Sequence, residues 1–181
     1  VLFDKSRGVV GRMSTRYAGD YEFDHGAQYF TITDSEFQSL ISDIEAAGEA
    51  SRWNSKGLYL RQGVLEADRG RPRWVGALRM NRIPKALAHG LDIRTGQRGI
   101  AINGSSGQFH LDLEDGETVG PFAHVICTAP APQAAALLSP TLPLQDTLKR
   151  VKMHACFALM VGFPNAGSAF APAWDSLRVS D

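Results

Sequence analysis

The sequence predicts a mixed α/β fold. Three observations carry this reading: apolar runs of strand length, one clear helical period, and turn dipeptides that string a meander between strands. Residues 1–3 read as a short strand ending on an acidic residue, Asp4, and residues 5–12 as a loop carrying Gly8 and Gly11. Residues 22–31 alternate apolar and polar side chains around Gly26. Residues 36–47 follow the helical pattern, with Phe37, Leu40, Ile41 and Ile44 recurring on one face. Asp34 or Ser35 suits the N-cap of that helix and Gly48 its end, because a short acceptor and a residue free of Cβ satisfy the two termini. Residues 52–67 read as strands with turns at Lys56-Gly57 and Gln62-Gly63. A basic loop, residues 69–73, leads into Trp74-Val75-Gly76. Residues 83–89 read as a short helix, with Pro84 tolerated in its first turn and Gly90 closing it. Residues 91–94, 99–102 and 108–113 are expected strands, with turns at Asn103-Gly104 and Asp115-Gly116. An apolar strand over residues 122–128 then runs into Ala129-Pro130 and a small helix over 131–138, and residues 155–163 form the last expected strand.

Composition narrows the function classes. The chain has 181 residues, 44% hydrophobic and 21% charged, the values of a globular protein with one sizeable core. Lys+Arg and Asp+Glu are 19 each, so no basic surplus exists for nucleic acid or an anionic membrane. No apolar run approaches the roughly 18–20 residues that cross a bilayer. Cys127 and Cys156 lie far apart in apolar runs and outside any ligand pattern, so buried, reduced thiols and a cytoplasmic setting are expected, and no metal. The chain starts on Val1-Leu2-Phe3-Asp4 without a methionine and stops at Arg178-Val179-Ser180-Asp181, as an internal piece of a longer protein would.

Two segments carry chemistry. A carboxylate at the end of a parallel strand can accept from both vicinal hydroxyls of a ribose, a role open to Asp4; a solvated strand-end turn is the plain alternative. Gly11-Arg12 lets the backbone approach a pyrophosphate and offers it a guanidinium fork. In Asp24-His25-Gly26-Ala27-Gln28-Tyr29-Phe30, a glycine beside small and amide residues suits backbone passing close to a flat ring. Each aromatic taken singly reads equally as core, and His25 as a structural histidine.

Taken together, Leu2-Phe3-Asp4-Lys5-Ser6-Arg7-Gly8, Gly11-Arg12-Met13-Ser14-Thr15-Arg16 and Asp24-His25-Gly26-Ala27-Gln28-Tyr29-Phe30-Thr31 resemble the bacterial renalase-like proteins of the flavin-containing amine oxidase group. The resemblance continues at Trp74-Val75-Gly76, Met80-Asn81, Ile83-Pro84-Lys85-Ala86-Leu87-Ala88, Thr128-Ala129-Pro130-Ala131-Pro132 and Cys156-Phe157-Ala158-Leu159-Met160. It implies part of a glutathione-reductase-like FAD-binding fold with an inserted mixed or antiparallel sheet that forms a substrate domain. On that reading residues 1–50 and 91–140 belong to the FAD-binding domain, 51–90 to the substrate domain, and 141–181 open a second substrate-domain segment. The strand–GxGxxG–helix unit of the family would precede Val1 by roughly 30 residues. By resemblance, Asp4 meets the ribose, Gly11 and Arg12 lie along the pyrophosphate and flavin, and Gly26, Ala27 and Gln28 face the ring. Gly99 and Ile100 meet the adenine, Thr128, Ala129 and Pro130 close over the nucleotide, and Lys5, Met13 and Tyr29 are further cofactor-binding positions. The chain departs from the family pattern at Val10, where a glycine is usual, and at Leu78-Arg79, where Pro-Gly is usual.

The resemblance implies hydride removal from a reduced substrate, with dioxygen reoxidising the flavin to give H2O2. The implied donors are dihydronicotinamide dinucleotide isomers, which carry a labile hydride and need no strong base. No catalytic residue is therefore assigned, and neither Asp24 nor His25 is promoted. Two rivals remain: an oxidase of primary amines or polyamines, which would want an aromatic cage and an acidic group, and a non-catalytic piece. Without the glycine-rich turn, the chain alone is expected to bind FAD weakly or not at all.

Overall fold

The computed structural model describes residues 1–163 and 172–180. In chain order, β1 (Leu2–Asp4) leads to a 3-10 turn (Gly11–Met13), then to β2 (Thr15–Ala18), β3 (Tyr21–Asp24) and helix α1 (Ser35–Ala46). Next come β4 (Ala50–Trp53), β5 (Gly57–Arg61), β6 (Val64–Ala67), β7 (Arg73–Gly76) and α2 (Arg82–Ala88). The last group is β8 (Ile93–Thr95), β9 (Gly99–Asn103), β10 (Phe109–Leu113), β11 (Thr118–Phe122), α3 (Ala131–Leu137), α4 (Gln145–Arg150) and β12 (Ser176–Ser180). Helices and several small sheets thus alternate, as an α/β chain does. Two compact units form, Val1–Gly11 with Gly90–Phe157, and Arg12–His89 with Ala158–Asp181. Of the segment 141–181 expected to open a second substrate-domain stretch, residues 164–171 and 181 lie outside the described residues.

In the first unit β1 pairs in parallel with β8, aligning Asp4 with Thr95. Strands β9, β10 and β11 form the antiparallel meander that the turn dipeptides announce. Leu113 is its buried anchor at 1% exposure. Helix α3 packs on β9 and on α4. The link to α4 is a side chain: the buried Gln145 amide donates to the carbonyls of Ala135, Leu138 and Ser139. These sit at the end of α3, where carbonyls lack intrahelical partners.

In the second unit α1 forms where the period demands it. Asp34 caps it by accepting from the Phe37 N–H at 2.8 Å, and Gly48 follows its end with φ +74°. The helix buries Ile41 and Ile44 against Ala50, Trp74 and Ile83, with Met13, Phe30, Ile32 and Ala86 around them. Phe30 and Trp74 exchange backbone hydrogen bonds at 3.0 and 2.9 Å, tying the segment after β3 to β7. Strands β12, β5 and β6 form a mixed sheet, β12 parallel to β5 and β6 antiparallel to it. Gln62 and Gly63 both take positive φ in the two-residue turn between β5 and β6, which matches the right-handed twist of the strands.

Two expected strands are absent. Residues 123–128 and 155–163 carry strand composition but no strand. Backbone in a strand needs a neighbouring edge for its N–H and C=O groups, and none of the sheets formed by the described residues includes residues 123–128 or 155–162. Ile126, Phe157 and Leu159 accordingly stand 88%, 95% and 91% exposed. Cys127 and Cys156 are free, but the packed core thiols that were expected do not form: Cys127 is half-buried and Cys156 exposed, because no sheet packs their segments. The residues that do pair in the first case are 118–122, a strand that Gly120 and Pro121 hide from a reading of composition. Among the described residues no helix is long and apolar enough to cross a membrane.

Candidate functional site

The expected cofactor residues fall into both units, and each group is built separately. In the first unit Asp4 ends β1, and its Oδ1 accepts from the Ser6 N–H at 2.8 Å while its carbonyl accepts from the Gln97 N–H at 3.0 Å. One carboxylate oxygen thus holds the following turn. The other has no hydrogen-bond partner among the described residues and is free to accept from a hydroxyl. Lys5 Nζ lies 3.5 Å from Gln133 Oε1 on α3. That contact brings the turn after β1 beside the helix whose entry is Thr128, Ala129 and Pro130. The Pro130 carbonyl starts this helix by accepting from the N–H groups of Gln133 and Ala134. Gly99 is small for a packing reason, since a Cβ there would sit 2.8 Å from Leu111 Cδ1. Ile100, its neighbour on β9, is half exposed. A hollow of about 400 Å³ beside Phe3, Arg94, Thr118 and Phe122 contains none of these residues.

In the second unit the structure locks two expected segments together. Ala27 N–H donates to the Arg12 carbonyl at 2.9 Å, and a Cβ on Gly26 would overlap that same oxygen. Only glycine permits this approach. Gly11 enters the 3-10 turn with φ +49°, and Met13 leaves it to pack on the core. His25 Nδ1 is buried without a partner among the described residues, one position before the crossing. Asp24 is fully engaged: Oδ1 accepts from Thr15 Oγ1 at 2.6 Å and Oδ2 from the Met80 N–H at 3.0 Å. Gln28 stays exposed.

Tyr29 leads into a cluster that no motif signals. Its ring lies 5.9 Å from that of Trp53, and the Arg73 guanidinium carbon lies 4.6 Å from the Tyr29 ring and 5.7 Å from the Trp53 ring. Arg73, 8% exposed, also pairs with Asp68 and donates to Ser55 Oγ and Ser176 Oγ at 3.3 and 3.0 Å. Burial opposes the charged form of Asp68, but the Gly70 N–H and the Arg73 guanidinium outweigh it and hold the carboxyl below the usual range. Arg178 donates to the Tyr29 hydroxyl at 2.9 Å. On the strand beside it, Tyr59 and Ser180 share a hydrogen bond of 2.8 Å. The Ser180 hydroxyl first, then Arg61, lower the Tyr59 phenol from its ordinary value. The signal open to a sequence reader was the alternation Tyr59-x-Arg61 and Ser176-x-Arg178-x-Ser180, which puts each set on one strand face.

Comparison with known families decides the class. Residues 55–175 match the family described as flavin containing amine oxidoreductase. The chain belongs to that family. Membership makes it part of a flavin-dependent oxidoreductase acting on small molecules, and the local geometry is compatible with that cofactor. The buried His25 nitrogen lacks a partner among the described residues, and Asp4 keeps one acceptor oxygen. Among the described residues no group of three or more His, Cys, Asp or Glu side chains is placed to hold a metal ion.

Proposed function

We propose that this chain forms part of a renalase-like FAD-dependent oxidoreductase that oxidises dihydronicotinamide dinucleotide isomers in the cytoplasm. The observation that carries the choice of substrate is Arg73. An amine oxidase wants an aromatic cage open to an ammonium and a carboxylate to steady it. Here the Tyr29–Trp53 pair already holds a cation, the Arg73 guanidinium, and the nearby carboxylate, Asp68, is spent on the same arginine. A neutral, hydride-donating ring attached to phosphates meets no such conflict.

In this reading FAD supplies the two-electron acceptor, and dioxygen takes the electrons on to H2O2. Asp4 accepts from ribose hydroxyls, with Lys5 beside it, while Gly99, Ile100, Thr128, Ala129 and Pro130 border the nucleotide. Gly11, Arg12 and Met13 lie along the pyrophosphate. Gly26, Ala27 and Gln28 present backbone and amide to the ring, and Tyr29 borders the substrate side. No side chain needs to act as a strong base, consistent with the full engagement of Asp24. The test is anaerobic mixing of the FAD-loaded full-length protein with each donor class. Flavin absorbance is expected to bleach with dihydronicotinamide donors and not with primary amines or polyamines; bleaching with amines alone overturns the reading.

A further inference from the structure

We propose that Arg178 and Arg61, flanking the Tyr59 ring, form an anion-recognition subsite that holds the phosphate end of the substrate, a specificity element of the reading above on which it rests. The register of the mixed sheet builds it. Arg178 stands opposite Tyr59 and Ser180 opposite Arg61 in the parallel β12–β5 pairing. Directly opposed residues in a sheet share a face, so Ser176, Arg178, Ser180, Gly57, Tyr59 and Arg61 line one side. The intervening residues, Leu58, Leu60, Leu177 and Val179, take the other. One face of this sheet is therefore polar and cationic, the other apolar.

Both guanidiniums lack a carboxylate partner within ion-pair distance among the described residues. Arg178 spends one N–H on Tyr29, and Arg61 stacks with its carbon 5.0 Å from the Tyr59 ring centre. The remaining guanidinium donors stay available, since a guanidinium carries five in a planar fork suited to phosphate. The one carboxylate on this row is Glu66, opposite Tyr59 on β6. Arg61 and Arg178 outnumber it on that face. The Ser180 hydroxyl first, then Arg61, lower the Tyr59 phenol, and both arginines are raised chiefly by their hydrogen bonds to Tyr59 and Tyr29. Anchoring the phosphates here leaves the redox ring free to reach elsewhere, the usual use of binding energy from a non-reacting part of a substrate.

The probe is ADP-ribose, titrated calorimetrically into the FAD-loaded full-length protein so that the flavin's own nucleotide site is filled. Arg178→Gln and Arg61→Gln are expected to weaken binding about tenfold each, the scale of one lost charge-assisted bond. Arg178→Lys recovers part of it, and Lys85→Gln, a charge loss on α2, leaves it intact. With the dihydronicotinamide dinucleotide as substrate, Arg178→Gln raises KM by a similar factor and spares kcat. Undiminished ADP-ribose binding in both glutamine variants, an equal loss in Lys85→Gln, or no binding by the wild type overturns the subsite. Bleaching by amines alone, with ADP-ribose still held through Arg178, instead overturns the substrate reading and leaves the anion site standing.

Discussion

At Gly26 one hydrogen atom in place of a methyl group decides a whole contact. The Ala27 N–H reaches the Arg12 carbonyl only because nothing projects from the residue before it. Gly26→Ala forces backbone apart, at the roughly 1–3 kcal/mol typical of overpacking, and parts the two segments proposed to carry the flavin. The expected outcome is a protein that unfolds at lower urea and recovers with substoichiometric yellow cofactor; full occupancy in the alanine variant contradicts the assignment of this crossing to the cofactor. Asp68 gives a second prediction at this scale. Its folded carboxyl titrates below its unfolded one, so its stabilisation is present above the ordinary carboxylate range and disappears as pH falls through the depressed value. Asp68→Asn should thus lower the urea midpoint most near neutral pH, with the gap to wild type closing in acid. A gap constant over pH denies the Arg73 pair its charged character. The two alternations put each arginine on a strand face, but their meeting could not be read from the chain, because Arg178 and Tyr29 lie 149 positions apart in sequence. At Gly26 the need for a close approach was legible, since a glycine between His25 and Ala27 is a local signal, but its partner in the structure, the Arg12 carbonyl, was not.

Elements follow the same division between local and borrowed information. Helix α1 was legible to within a residue, because its period, its cap and its Gly48 end lie within one short window. Of the expected face, Ile41 and Ile44 are buried, while Phe37 and Leu40 stay exposed. Asp34→Ala removes the acceptor for the Phe37 N–H and should cost about 1 kcal/mol, read as a lower melting temperature with the refolded spectrum unchanged. A loss indistinguishable from zero means the helix is held by Ile41 and Ile44 alone. The turn at Gln62-Gly63 and the meander were legible for a similar reason, as glycine marks where φ must turn positive. Strands are different, since half of each strand's hydrogen bonding belongs to another segment. Residues 123–128 and 155–162 have the composition but join no sheet of the described residues, whereas residues 118–122 look unsuited and pair with β10. β12 was missed for the converse reason: Ser-Leu-Arg-Val-Ser is a plain alternation whose meaning comes from β5, more than a hundred positions earlier.

For the molecule as a whole, charge sets what can be drawn in from solution. Within these 181 residues Lys+Arg and Asp+Glu balance at 19 each, so their net charge supplies no long-range steering. Any electrostatic preference for a substrate must arise from where the charges lie. The cationic surplus of residues 52–73 lies in the stretch that supplies β5 and the Arg73 cluster, and on the proposed reading that placement favours an anionic donor over an ammonium. Salt then becomes a discriminating variable. Raising ionic strength from about 0.1 M to about 1 M shortens the screening length from roughly 10 Å to roughly 3 Å. For a dihydronicotinamide dinucleotide, KM should rise severalfold over that range with kcat little changed, because screening weakens encounter and anchoring but not the hydride step. An amine donor should show the opposite trend, as salt relieves its repulsion. Arg61→Gln and Arg178→Gln should flatten the first dependence, tying it to this sheet face and not to the protein at large. A KM for the dinucleotide that ignores salt in the wild type removes the electrostatic basis for preferring it.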